Sequence, residues 1–133
     1  MDQSLKNVLL ECVRASDEER ITFPEVVRAL VAAGVERYHA DLLRGERVFA
    51  MPCGGSETVA AHKVKVPVAA AFSAAGVEAA VRASQKGEIK YREFCARAAA
   101  SGCAGYHVFI DGRRVLYYGR SGGFHVEHFP GGK

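Results

Sequence analysis

Two equally long stretches decide the fold: ITFPEVVRALVAAGVERYHADL at 21–42 and IKYREFCARAAASGCAGYHVFI at 89–110. They align at an offset of 68 residues. The motif Val-Arg-Ala-Ser, at 13–16 and again at 81–84, extends the match upstream. Positions 13–39 then share ten identities with the second copy, where average residue usage would give about two by chance. The sequence therefore predicts an internal duplication.

Beyond these stretches, the two copies continue to match only if one residue is dropped from the second copy. With this gap the offset becomes 67 residues, and Arg47 aligns with Arg114. A chain of 133 residues has the length of one domain, since domains run to roughly 100–200 residues. We therefore interpret 1–133 as a single domain made of two repeats, at about 1–67 and 68–133.

Composition and charge exclude several protein classes. Hydrophobic residues make up 49% of the chain and charged residues 25%, as in packed globular domains rather than disordered or fibrous proteins. The net charge of +3 comes from charges scattered along the chain, so we expect no nucleic-acid partner. The sequence also lacks the G-x-S-x-G elbow of hydrolases and the G-x-x-x-x-G-K-[ST] phosphate loop.

No targeting or membrane segment is expected. Residues 1–6 do not combine a basic start with a following apolar region, so the sequence predicts a cytoplasmic protein rather than a secreted one. The longest uncharged stretches, 66–77 and 98–110, are shorter than the roughly 20 residues that a membrane helix requires.

The four cysteines contain no C-x-x-C pair, and cytoplasmic thiols stay reduced, so neither a disulfide framework nor a zinc site is expected. Apolar residues stand at the aligned positions of Cys12, Cys95 and Cys103 in the other copy. We expect these three thiols in the core, and Cys53, in a Gly-rich loop, at the surface.

Each repeat is expected to begin with two helices. Apolar residues at helical spacing from Leu5 to Val13 predict the first helix. The capping box Thr22-Phe23-Pro24-Glu25 begins the second helix, whose apolar face includes Val31. In the second repeat, Ser73 is expected to cap a helix that ends near Lys86, and another helix follows at about 91–101.

Three strands are expected after the helices of each repeat. They lie at about 35–42, 47–51, 58–66, 103–110, 113–118 and 124–129. Helices segregated from antiparallel strands predict a two-layer α+β fold, and the repeated ααβββ order predicts an approximate twofold pseudo-symmetry. The pattern leaves open whether the two repeats share one sheet.

Strand alternation separates two tyrosines from two histidines. Tyr38 and Tyr106 share a face with apolar neighbours and are expected to face the helices, where each hydroxyl needs a partner. His39 and His107 point to the opposite, outer face.

The dipeptide Asp111-Gly112 predicts a hairpin turn that pairs Val108 with Val115. This register surrounds His107 on the outer face with Phe109, Leu116 and Tyr118. A face that met only water would be polar, so we expect the other repeat, a second chain or a ligand to cover it.

Our leading hypothesis is a small intracellular, non-enzymatic binding or protein-interaction module that uses this outer sheet face. A homodimer or another protein is the expected partner, and a small-molecule ligand stays open. The alternative is a small hydrolase or transferase whose histidines and carboxylates meet between the repeats. The candidate binding residues are His39, Asp41, His107, Phe109, Leu116, Tyr118, His125, Glu127 and His128.

No catalytic residue, metal or cofactor is assigned. The five histidines are expected on strands or strand ends: His39, His62, His107, His125 and His128. Within the cluster 125–128, residues three apart on a strand face opposite sides, so this spacing does not chelate a metal as a helical HExxH does. The arginines near the hairpin turns are expected to be solvated: Arg44, Arg47, Arg113 and Arg114.

The segments 34–41 (GVERYHAD), 105–107 (GYH) and 126–130 (VEHFP) resemble a family of short bacterial proteins of unknown function. The family includes a prophage-encoded YbcV-like member and is sometimes labelled phage envelope protein. The resemblance covers nearly the whole chain and implies an α+β fold. It implies no activity, cofactor or catalytic residue.

Overall fold

The structure, a computed structural model that describes residues 2–130, has four helices on one face of a six-stranded antiparallel sheet. The helices are α1 (Gln3–Asp17), α2 (Phe23–Ala32), α3 (Ala74–Gln85) and α4 (Tyr91–Ala100). The strands are β1 (Arg37–Asp41), β2 (Glu46–Ala50), β3 (Ser56–Ala60), β4 (Cys103–Phe109), β5 (Arg114–Gly119) and β6 (Phe124–His128). The predicted two-layer α+β class is confirmed.

Side-chain caps explain where three of the helices begin. The Asp2 carboxylate accepts a hydrogen bond from Leu5 N at the start of α1. Thr22 and Glu25 form the predicted capping box of α2, and the Ser73 hydroxyl caps α3. Each cap satisfies amide groups that a helix leaves unpaired at its N-terminus, so the local sequence determines these boundaries.

The cap of α4 comes from another part of the chain. Its own N-cap residue, Lys90, makes no capping bond through its side chain. Instead the carboxylate of Glu19, in the α1–α2 connection, accepts a hydrogen bond from Arg92 N at 3.2 Å. This contact ties the first half of the chain to the second.

The two halves share one continuous sheet with the strand order β3-β2-β1-β4-β5-β6. The strands β1 and β4 pair antiparallel at its centre, and the register places His39 directly opposite His107. The helices of both halves therefore lie over a single sheet.

The connections of the hairpins β1–β2 and β4–β5, 42–45 and 110–113, are equally long. Their positive φ angles fall at matching positions, 70° at Gly45 and 52° at Arg113. No residue is dropped between the two hairpins, so the predicted offset of 67 is wrong there. The counterpart of Arg47 in the second hairpin is Val115, not Arg114.

The core lies between the helices and the inner face of the sheet, and most of its members occupy predicted positions. The thiols of Cys12, Cys95 and Cys103 are buried and Cys53 is exposed, as predicted. Tyr38 and Tyr106 also lie in the core, facing the helices.

Arg47 corrects the prediction of solvated turn arginines, because only 2% of it is exposed. It pairs with Ala40, a residue of the inner face, so its side chain points under the helices. Its guanidinium donates to Ser16 Oγ at 3.2 Å and lies 5.1 Å from the ring centroid of Tyr91. A cation–π contact and a hydrogen bond thus compensate part of the cost of burying the charge.

Two further predictions are wrong. The third strand ends at Ala60 rather than near residue 66, because the following segment leaves the sheet edge and His62 N donates to the carboxylate of Asp17. His62 therefore lies outside the strands. Val31 is 56% exposed, since the short helix α2 buries only Val26 and Leu30 against the core. Among the described helices, none is long and apolar enough to cross a membrane.

Candidate functional site

The central strands bring five of the candidate residues together on the outer face of the sheet. Register places His39, His107 and Leu116 side by side in one row across β1, β4 and β5. Phe109 and Tyr118 lie on either side of this row and on the same face. We call His39, His107, Phe109, Leu116 and Tyr118 the outer patch; all five are half-buried.

The rings of the outer patch contact one another. The imidazoles of His39 and His107 stack, with centroids 4.4 Å apart and planes inclined by 18°. The ring of Tyr118 lies 5.7 Å from that of His39 and 5.5 Å from that of His107. The ring of Phe109 lies 6.0 Å from that of His107 on the other side. The result is a continuous aromatic surface at the centre of the sheet.

Gly105 makes room for this arrangement. Tyr118 lies opposite Gly105 in the β4–β5 register, and its hydroxyl reaches across to His39 Nε2 at 2.6 Å. A Cβ at position 105 would lie 2.5 Å from the Tyr118 hydroxyl oxygen and 2.6 Å from the carbonyl oxygen of Ala40. Only glycine allows the tyrosine ring to cross β4 at this point.

The polar groups of the outer patch are uncharged near neutral pH. Burial lowers the pKa of His39, partly opposed by Asp41 and Glu46. Burial, His39 and Arg37 lower the pKa of His107. Burial raises the pKa of Tyr118 to about 12, with a further contribution from Asp41. The imidazoles and the phenol therefore interact as neutral hydrogen-bonding groups.

Asp41 lies on the outer face, but its carboxylate is engaged by its own turn. Its Oδ1 accepts hydrogen bonds from the backbone amides of Leu43 and Arg44, both at 3.0 Å. This use of the carboxylate stabilises the β1–β2 connection, in the way that Asx turns do.

The candidates on β6 are divided between the two faces. His125 pairs with Tyr117 and Glu127 with Val115, which places both on the helix-facing side. There His125 Nε2 lies 2.9 Å from Glu127 Oε1, and Glu127 also accepts a short hydrogen bond from Arg82. Burial works against ionisation of Glu127, but hydrogen bonds from Arg82 and His125 outweigh it and lower its pKa.

His128 lies on the outer face, at the sheet edge and opposite Arg114. The predicted set of histidines and carboxylates is therefore not gathered in one cleft. His39 and His107 meet on the outer face, while His125 and Glu127 contact each other on the helix-facing side, where Glu127 also bonds Arg82 of α3.

The outer face is wider than the sequence analysis predicted. Val48 lies opposite His39 on β2, and Val126 lies opposite Leu116 on β6. Ala50, two residues after Val48 on β2, is a further small apolar side chain on this face. Alternation within 46–50 would have identified Val48 and Ala50, whereas nothing in the sequence marks Gly105 as the residue that admits Tyr118.

The described part of the chain contains no group of three or more His, Cys, Asp or Glu side chains that could hold a metal ion. His39 and His107 are also not arranged to bind a metal ion as a pair. Imidazole lone pairs lie in the ring plane, so two nearly parallel stacked rings do not direct them at a common point.

These features define a small α+β protein whose sheet carries helices on one side and an apolar, aromatic patch on the other. The sequence profile of DUF1398, described as a protein family of unknown function, matches residues 11–127, and the chain belongs to that family. A comparison with curated protein sequences gives no match. The family description contains neither the YbcV-like name nor the phage label, which stay predictions.

Proposed function

We propose that the protein is a non-enzymatic interaction module that associates with a second copy of itself through the outer face of its sheet. The observation that carries this proposal is the outer patch itself. Neutral aromatic and aliphatic side chains occupy the centre of a face where alternation would place charges in a sheet that met only water. Such patches are typical of protein interfaces.

The charges around the outer patch support self-association. Arg37 and Arg114 lie level with Phe109 at one margin of the face. Asp41 and Glu46 lie level with each other at the opposite margin. Arg37 also contacts Glu36 and Glu46 also contacts Arg44, so the basic and the acidic margin are each partly compensated within the chain.

A twofold axis in the plane of the interface, running across the strands, would invert the strand direction of one protomer relative to the other. Arg37 would then lie opposite the partner's Asp41, whereas Arg114 would lie opposite the partner's Tyr118. The row that contains His39 and His107 would lie along the axis and meet its own copy. Such isologous contacts are the usual arrangement in homodimers.

Sedimentation velocity over a range of protein concentrations tests the proposal. We expect a dimer for the unchanged protein and a monomer for Phe109→Asp, because that substitution places a charge among the aromatic rings. Val31→Asp is the matched control, since Val31 is 56% exposed on α2, on the helix side of the sheet and away from the outer face. A monomer at every concentration, or a Phe109→Asp variant that dimerises like the unchanged protein, would refute the proposal.

The alternative function, a hydrolase or transferase, required histidines and carboxylates in one site, and most of these residues lie apart. Its residues are divided between the two faces, and Asp41 is engaged by its turn. What remains is the hydrogen bond between His39 and Tyr118, in which a neutral imidazole could accept a proton. The contacts of the outer patch favour association over this chemistry.

A further inference from the structure

A cavity of about 730 Å³ lies on the other side of the sheet, between α2 on one side and α3 and α4 on the other. Its floor is formed by the rings of Tyr38, Tyr106 and Tyr117 from the inner face. Phe94 and Tyr91 of α4 form one wall. Ligand pockets in proteins commonly measure roughly 300–1,000 Å³, so the volume is sufficient for a small organic molecule.

The mouth of the cavity is also aromatic. Phe23, at the start of α2, contacts Phe129, just after β6, edge to face with ring centroids 5.4 Å apart. The guanidinium of Arg113 lies 5.4 Å from the ring centroid of Phe129. Both phenylalanines line the cavity, so residues from the two halves of the chain form its rim.

The charged residues that line the cavity balance in sign, Glu19 and Glu127 against Arg20 and Lys90, and two tyrosine hydroxyls lie together inside it. The hydroxyl oxygens of Tyr91 and Tyr106 are 2.9 Å apart. One hydroxyl donates to the other, and each also has a partner in the core, Tyr38 for Tyr106 and Cys95 for Tyr91, so a ligand oxygen would take the place of one of these partners. Burial raises the pKa of both tyrosines, which are therefore neutral donors.

The surrounding charges favour a neutral ligand. Arg47 lies behind the wall, against the ring of Tyr91 and the hydroxyl of Ser16, where its positive charge opposes a cationic guest. The nearest carboxylate to its guanidinium is that of Asp17, at 3.9 Å. Arg47 thus has an anionic neighbour of its own, which offsets its attraction for an anionic guest.

We propose that this cavity binds a neutral, planar aromatic molecule that carries one hydrogen-bond-accepting oxygen, phenolic or carbonyl. The rings of the floor and walls would stack against its faces and edges. The Tyr91–Tyr106 pair would donate one hydrogen bond to its oxygen. The site lies on the opposite side of the sheet from the outer patch and does not depend on the proposed self-association.

Calorimetric titration of the full chain with 2-naphthol tests the ligand class. Two charged relatives of the same size, 2-naphthoate and 2-naphthylmethylammonium, serve as comparisons. We expect saturable binding of 2-naphthol and at least tenfold weaker binding of both ions. Equal or tighter binding of either ion, or no binding of 2-naphthol, would overturn the proposal.

Two substitutions place the ligand in the cavity. Val115→Phe puts a ring into the cavity space and should weaken 2-naphthol binding more than tenfold, whereas Val31→Phe makes the same change on the exposed side of α2 and should not alter it. Tyr106→Phe removes one hydroxyl of the pair and should weaken binding about fivefold, as expected for one hydrogen bond. A folded Val115→Phe variant that binds like the unchanged protein would overturn the assignment.

The unchanged protein gives a test that does not depend on the folding of variants. Nuclear Overhauser contacts between bound 2-naphthol and the ring protons of Tyr106 and Tyr117 are expected. Saturable binding with contacts only to other residues would show that the site lies elsewhere.

Discussion

His39 and His107 lie opposite each other on the two central strands, and their imidazole rings stack 4.4 Å apart on the outer face. Neither ring is covered by a helix, yet burial lowers the pKa of both. Folding therefore makes both histidines harder to protonate, because it packs their rings at the centre of the sheet.

The pair predicts that stability depends on pH. The pKa of each histidine is lowered from its usual 6.5, so the unfolded chain binds more protons than the folded chain between the lowered pKa and 6.5. The free energy of unfolding should then fall as the pH falls through this window and change little above it. Urea unfolding between pH 5.5 and 7.5, at fixed protein concentration, measures the slope. The charged groups that act on the pair are Arg37, Asp41 and Glu46.

The variant His39→Gln/His107→Gln is the comparison for that slope. It removes both titrating groups, and the remaining pH dependence should be smaller than in the unchanged protein. An identical slope in the two proteins would show that these histidines do not contribute to it.

Gly105 predicts a large effect from a small substitution. Gly105→Ala should destabilise the protein by about 1–3 kcal/mol, because a Cβ there would overlap both the Tyr118 hydroxyl and the Ala40 carbonyl oxygen. Gly112→Ala is the control, since its Cβ would have ordinary contacts only. Chemical denaturation of both variants measures the difference, and equal stability would contradict the close approach of Tyr118.

Arg47 predicts an interaction with Asp17 that a double-mutant cycle can measure. Arg47→Met should destabilise the protein by about 3 kcal/mol, because it removes a buried cation and leaves the carboxylate of Asp17 without its charged neighbour. In an Asp17→Asn background the same change should cost less, since no buried anion is left behind. Equal costs in the two backgrounds would show that the pair does not interact.

Charge reversal at Arg37 tests the orientation of the proposed dimer. Arg37→Glu would place like charges opposite each other at the two margins and should weaken dimerisation by about 1 kcal/mol per contact. Added salt should reduce this difference. Arg28→Glu makes the same change on an exposed position of α2 and should leave the dissociation constant unchanged. An unaffected Arg37→Glu dimer would favour a different orientation of the two copies.

Local signals were sufficient to predict most of the elements and the outer patch. Caps such as Thr22 with Glu25 act within one turn, and alternation assigns each strand residue to a face. The predicted pairing of Val108 with Val115 is confirmed, so the sequence placed Phe109, Leu116 and Tyr118 around His107 correctly. The internal duplication stays a prediction.

Features that depend on contacts between distant segments were not predictable in the same way. Arg47 lies only two residues after Gly45, the last residue of its hairpin turn, but its burial depends on Tyr91 and Ser16 in two different helices. The end of β3 depends on the contact between His62 and Asp17. The cavity exists because α2 and the α3–α4 pair approach the sheet from separate halves, which no local pattern describes.

The pairing of β1 with β4 also bears on how the chain folds. Each half can form its strand pairs from neighbours in sequence, whereas the central pair joins residues as far apart as His39 and His107. Contacts at large sequence separation carry the largest loop-closure entropy and slow folding. We expect the two three-stranded halves to form first and the seam between them to close last, so that the stacked histidines report the completion of folding.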